Sequence, residues 1–322
     1  RDYKVTGVQT CALPISMLAV RLLNIRLWSP SIAAADAAAS VAPPSGLKQG
    51  DKLILELFRP KEGETGSTDR IKDFDPDKEP EKFTIKIYWG SSKTVKEGQP
   101  KVITWGGLTP EQKEAMKAQA REAQVQAASS YFYKAGWTTG YWPTKKQPGN
   151  IAMDASLVGK YALTTNYTGN VEIEAPSNVN FLDGIQMSSP NLEKAIDLNK
   201  AVSFAWAAIP NALGLHASII AMEGKNTMIM WSSSEIFSEM GMGDPGFMQM
   251  ADVRAAVEKT LFMAGTRTSV DVPAGIFKDA DFVMMNMGGW GPGAALEKAQ
   301  PLPRIQTKTS LMLMLGGKKM DF

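Results

Sequence analysis

The chain of 322 residues has one cysteine and one histidine. A lone cysteine closes no internal disulfide, and one Cys with one His cannot fill a structural zinc site of the Cys/His kind. Basic and acidic residues number 35 and 33, for a net charge of +2 at pH 7. That balance leaves no basic footprint for nucleic acid. No run of about 18 apolar residues occurs, so the sequence predicts no membrane-spanning helix. No Gly-x-Ser-x-Gly elbow accompanies His216, and Gly288-Gly289-Trp290-Gly291-Pro292-Gly293 lacks the strand-to-helix setting of a phosphate loop. What the chain does have is 44% hydrophobic residues, enough for a sizeable core in about two domains.

The single cysteine is itself misleading. Val5 to Ile15 reads VTGVQTCALPI, which resembles the conceptual translation of a sequencing-library adapter. Residues 1–16 are accordingly set apart from fold reasoning, as a tag or fusion scar would be. Cys11 goes with them, and the remaining chain carries no thiol and a charge still close to zero. Met17 need not be the natural start.

Residues 17–46 hold Arg21, Arg26, a short apolar patch, an Ala-rich stretch and Pro43-Pro44. They resemble a damaged secretory signal with a cleavage region around Ala33 to Ser40, or else an Ala/Pro-rich linker. Residues 47–150 read as a small β-rich unit with one helix and an aromatic turn segment. Phe83, Ile85, Ile87 and Trp89 alternate with Thr84, Lys86 and Tyr88, the pattern of a half-buried strand. Thr109, Pro110 and Gln112 form a capping box that opens a helix reaching Ser130. Residues 151–322 predict short strands at 160–166, 170–174, 201–209, 215–222, 226–233, 269–272, 281–287 and 307–315. A helical insert is expected over 250–264, with Asp252 near its start and Gly265 at its end.

Phe204-Ala205-Trp206 followed by Ile209-Pro210-Asn211-Ala212-Leu213-Gly214-Leu215 resembles the strand-turn-strand of fibronectin type III and related immunoglobulin-like modules. Val270 to Phe277 and Phe282 to Met287 resemble the later paired strands of such modules. Leu215 stands where an aromatic is usual. The resemblance covers about residues 158–317 and is shared with exported bacterial proteins carrying these modules. It implies an immunoglobulin-like β-sandwich with a helical insert, periplasmic or secreted, in a mainly β protein with few helices. It implies no particular activity, because such folds host many roles.

Candidate sites follow from residue chemistry. Trp89, Trp137, Tyr141 and Trp142 offer flat faces for stacking on sugar rings, as do Tyr88, Tyr131 and Tyr133, although such residues equally build cores. Methionine is abundant, at 18. Five Met-x-Met pairs occur: Met228/Met230, Met240/Met242, Met248/Met250, Met285/Met287 and Met312/Met314. The first, fourth and fifth lie on strands and read as core filler. Met240, Met242, Met248 and Met250 bracket a Gly/Asp/Pro segment that no strand explains, and their soft thioethers suit Cu(I). Asp73, Asp75 and Asp77 alternate as calcium ligands do, without the glycine and distal glutamate of a loop site. His216 reads as a structural strand residue. The sequence therefore points to a non-enzymatic binding or cell-envelope module with no cofactor. Its partner would be an unknown protein or glycan. A carbohydrate-binding module, a Met-rich Cu(I) binder and a carboxylate-dependent hydrolase are the competing readings.

Overall fold

The structure is a computed structural model that describes residues 11–12, 20–30, 32–59, 83–115, 118, 137–238, 246, 248–296 and 304–317. The chain is mainly β and divides into two compact units. The smaller comprises Arg21–Glu81 and Gly107–Ser177, the larger Arg1–Val20, Lys82–Gly106 and Asn178–Phe322.

In the smaller unit, strands β2 (Ile25–Ser29), β3 (Ala39–Ala42), β4 (Leu53–Phe58), β7 (Thr138–Trp142), β8 (Gly159–Thr165) and β9 (Val171–Ala175) form one antiparallel sheet in the order 2-7-4-3-8-9. Alternation drives β4: Leu53 and Leu55 are buried, while Ile54 between them is 58% exposed. Trp142 is fully buried. Gly149 lies against its ring at φ +69°, where a Cβ would come within 2.7 Å of the indole. Only glycine both adopts that backbone and leaves room for the tryptophan. The capping box forms: the Gln112 N–H donates to Thr109 Oγ1 at 3.2 Å, and the Thr109 N–H donates to Gln112 Oε1 at 2.9 Å. Residues 110–115 are helical, and most of the expected continuation to Ser130 lies outside the described residues.

Two segments read as leader or linker are part of this sheet. β2 pairs along its whole length with β7, and β3 lies between β4 and β8. The Ala-rich composition misled because small residues suit a strand flanked on both sides as well as a cleavage site. Ala39 and Val41 are buried there. Strands β8 and β9, read with the sandwich, also belong to this unit.

The larger unit holds two principal sheets. One contains β10 (Met187–Ser189), β11 (Val202–Trp206) and β15 (Ser269–Val272), in the order 10-11-15. The other runs 1-19-16-12-13-5-6. It contains β12 (Gly214–Glu223), β13 (Thr227–Ser232), β16 (Phe282–Trp290) and β19 (Lys308–Gly316). β5 (Thr84–Trp89) and β6 (Lys101–Thr104) extend it at one edge. At the other edge the two-residue β1 (Cys11–Ala12), inside the adapter-like segment, pairs in parallel with β19. β14 (Met263–Ala264) adds to β12, and β17 (Ala294–Ala295) pairs with β18 (Arg304–Ile305).

One apolar core joins the two sheets. Val202, Phe204 and Trp206 from β11 meet Leu215, Ala217 and Ile219 from β12, with Val283, Met285 and Met287 from β16 and Leu311, Leu313 and Leu315 from β19. The β5–β6 hairpin, read in the sequence with the first β-rich unit, pairs instead with β13: Thr227 lies opposite Thr84 and Ser232 opposite Trp89, in parallel. The pattern of residues 83–89 announces a strand but is silent about its neighbour. The helix expected over 250–264 spans Met250–Glu258. It stops where Thr260 takes a left-handed φ of +54°, a conformation that a helix cannot continue through.

Candidate binding face

Strand alternation gives the large sheet a second face, opposite its core. On β12 the core side takes Leu215, Ala217, Ile219 and Ala221, all buried to 1% exposure or less. The other side takes Gly214, His216, Ser218, Ile220 and Met222. Cross-strand register then lines residues into rows. One row runs Phe282, Met222, Met228, Ile85, Ile103 across β16, β12, β13, β5 and β6. The next runs Met314, Met284, Ile220, Met230, Ile87 from β19 to β5. The third runs Met312, Asn286, Ser218, Ser232, Trp89. Neighbouring strands are about 4.8 Å apart, so a five-strand row spans roughly 19 Å.

These rows are unusual for a sheet whose other face is already a full core, because such sheets alternate apolar inside with polar outside. Here both faces are apolar. Met222, Met228, Met284, Met312 and Met314 are half-buried, and Met230 is 8% exposed. Ser218 and Ser232 are buried in the third row. Beside them Ile87, Trp89, Met230 and Phe237 help to line a cavity of about 10 Å³, room for roughly one water molecule.

The opposite end of this face is closed by local structure. A Cβ on Gly214 would come within 2.9 Å of Val253 and Val257 of the helix Met250–Glu258, so the glycine permits that helix to pack against β12. Phe262 stacks on Trp290 with centroids 4.7 Å apart and lies 5.2 Å from His216. The Trp290 indole N–H donates to the Gly246 carbonyl at 2.8 Å. The Lys308 ammonium lies 5.2 Å from the Trp290 ring centre, a cation–π arrangement. His216 is thus a buried strand residue inside an aromatic cluster, 3% exposed.

The aromatics singled out from sequence fall in two different units. Trp89 is half-buried on β5, edge-on to Phe237 at 5.3 Å, and belongs to the larger unit. Trp137, Tyr141 and Trp142 belong to the smaller unit. Trp142 offers no face to a sugar because it is fully buried. Trp137 and Tyr141 are partly exposed. Burial, reinforced by a hydrogen bond and charge from Glu56, pushes the Tyr141 hydroxyl up to about 12. Burial also raises Tyr161 in the same unit. The folded form therefore keeps protons that the unfolded chain loses. The smaller unit should hold its stability up to about pH 10 and lose it progressively as pH rises towards about 12. Absorbance at 295 nm against pH reads this directly. Tyr141→Phe should delete the phenolate transition near pH 12.

Met248 and Met250 are half-buried, Met250 opening the helix. Met240 and Met242 lie outside the described residues, as do Tyr131, Tyr133, Asp73, Asp75 and Asp77. Of the three strand pairs expected in the core, only Met285/Met287 is there, at 1% and 2% exposure. Met228/Met230 and Met312/Met314 stand on the opposite face. Spacing by two places both members on one side but does not say which side. Alternation along the strand already groups Met222 with His216, but neither Met222 nor Met284 belongs to an i, i+2 methionine pair, so the sequence did not single them out. Counting alternation outward from Ile219 and Met285 would have found them. Among the described residues, no group of three or more His, Cys, Asp or Glu side chains is placed to hold a metal ion. No helix among them is long and apolar enough to cross a membrane. Comparison with family models, curated proteins and solved structures gives no match.

Proposed function

We propose that the chain is an exported bacterial binding or cell-envelope module of the fibronectin type III or immunoglobulin-like kind, acting without an enzymatic step of its own. Its working surface is the methionine- and isoleucine-lined face of the large sheet. The observation that carries this reading is that two full rows on that face are apolar although the core lies on the other side. An apolar face opposite the core whose methionines keep part of their surface in solvent marks an interaction surface more often than a structural one.

Strand order supports the module. Numbering β10, β11, β12, β13, β15, β16 and β19 as successive strands, the first, second and fifth share one sheet. The third, sixth and seventh neighbour one another in the other. Immunoglobulin-like sandwiches divide their strands in this way. Trp206 on the second strand is buried at 3% exposure, in keeping with the resemblance of Phe204 to Leu215. Export rests on that module, because strands β2 and β3 remove the cleavage region as support for it.

A photoreactive side chain at position 286 tests the surface. Irradiated with an envelope extract of the source cell, the folded chain should give discrete protein adducts that Ile220→Arg abolishes. No adducts, or the same adducts with Ile220→Arg, would contradict the reading.

A further inference from the structure

We infer that this face binds a soft monovalent metal ion, Cu(I), through two methionine trios. The inference rests on the reading of the face as a binding surface and names one ligand class for it. The first trio is Met222, Met228 and Met230. Met222 and Met228 are directly opposite across β12 and β13, and Met230, opposite Ile220, is diagonal to Met222. The second is Met284, Met312 and Met314. Met284 and Met314 are directly opposite across β16 and β19, and Met312, opposite Asn286, is diagonal to Met284. Ile220 stands between the trios, opposite both Met230 and Met284.

Sheet geometry puts directly opposed Cβ atoms about 5 Å apart and diagonal ones at roughly 7–8 Å. A methionine side chain has three rotatable bonds beyond that point. Three sulfurs from such a triangle can therefore reach one ion. The ligand chemistry is selective: neutral, polarisable thioethers suit Cu(I) and give little to hard cations, which take oxygen ligands. Neither trio contains a carboxylate. Apolar contact alone would be served by leucine, isoleucine or valine, the usual strand residues. Six thioethers gathered on one face, from four strands, go beyond that need. Binding forms Cu–S bonds without any change of oxidation state, so no co-reactant is required.

The test is a competition titration of the full chain carrying Cys11→Ser, which removes the thiol that would itself take Cu(I), with Cu(I) held by a chromogenic chelator under reducing, anaerobic conditions. With all its methionines in place this chain should take up to two equivalents. Met222→Leu/Met228→Leu/Met230→Leu and Met284→Leu/Met312→Leu/Met314→Leu should each lose one, and combining them should abolish uptake. Leucine keeps size and apolarity, so circular dichroism should show each variant folded and cross-linking from position 286 should persist. Ag(I) gives a second readout on the Cys11→Ser chain alone: the six methionine methyl resonances should shift, while those of Met285 and Met287 stay. No uptake by that chain would overturn the metal site while leaving the binding face standing. Uptake undiminished in the leucine variants would place the thioethers elsewhere and overturn it equally.

Discussion

Replacing Trp231 by alanine is expected to lower the stability of the larger unit by about 3–5 kcal/mol, enough to leave much of it unfolded at 37 °C. Trp231 is 1% exposed in the shared core. Truncation removes the largest side chain of β13 and leaves a cavity that the two sheets cannot collapse to fill. It also strands a hydrogen bond. The indole N–H donates to the Gly90 carbonyl at 3.1 Å, and Gly90, the residue after β5, places its own N–H on the Ser232 carbonyl at 3.0 Å. Trp231→Phe separates the two contributions. It keeps most of the packing and loses the donor, for an expected cost of about 1–3 kcal/mol. Urea unfolding followed by circular dichroism measures both. Near-equal costs for the two variants would mean that the hydrogen bond, not the volume, holds this site.

The second large effect is steric. Gly265 is buried beside the turn that leads into β12, and a Cβ there would overlap the backbone carbonyl of Ala212. The obstacle is main chain, so no rotamer change relieves it. Asn211 in the same turn is held at φ +64°, and the Leu213 N–H donates to the Trp290 carbonyl at 2.7 Å. Moving the turn therefore disturbs the start of β12 and the end of β16 together. Gly265→Ala should cost about 2–3 kcal/mol, the upper part of the overpacking range. Gly106→Ala is the control: a Cβ there meets nothing within 4 Å, so its effect should stay within about 0.5 kcal/mol. Thermal unfolding of the two variants side by side reads the difference.

Local features of this chain were legible in its residues. The Thr109/Gln112 capping box forms between the atoms that its spacing calls for. The phase of β12, with His216 and Ile220 on one side and Ile219 on the other, follows from alternation alone. Strand Ser269–Val272 falls where its β-branched residues place it. Long-range pairing was not legible. Nothing within Thr84 to Trp89 says that it will lie parallel to a strand that begins at Thr227. Pairing choices of that kind are decided by which exposed edges meet, not by local propensity. The same gap hid the candidate site. Met228 and Met314 each sit in an ordinary strand pattern, and become neighbours of Met222 and Met284 only through the register of three hairpin-like pairs. The aromatic residues show the converse. Trp142 looks in sequence much like Trp89, and only packing makes one fully buried and the other half-buried.

Brief oxidation of the folded chain, followed by peptide mass spectrometry, bears most directly on the two-faced sheet from which the binding proposals start. Met284 and Met285 are adjacent in β16 and point to opposite sides. In the native chain Met222, Met228, Met284, Met312 and Met314 should convert to the sulfoxide within the exposure time. Met285 and Met287 should stay reduced until denaturant opens the core. Protection of Met284 and its row equal to that of Met285, or oxidation of Met285 and Met287 at the same rate in the folded chain, would contradict an open methionine face.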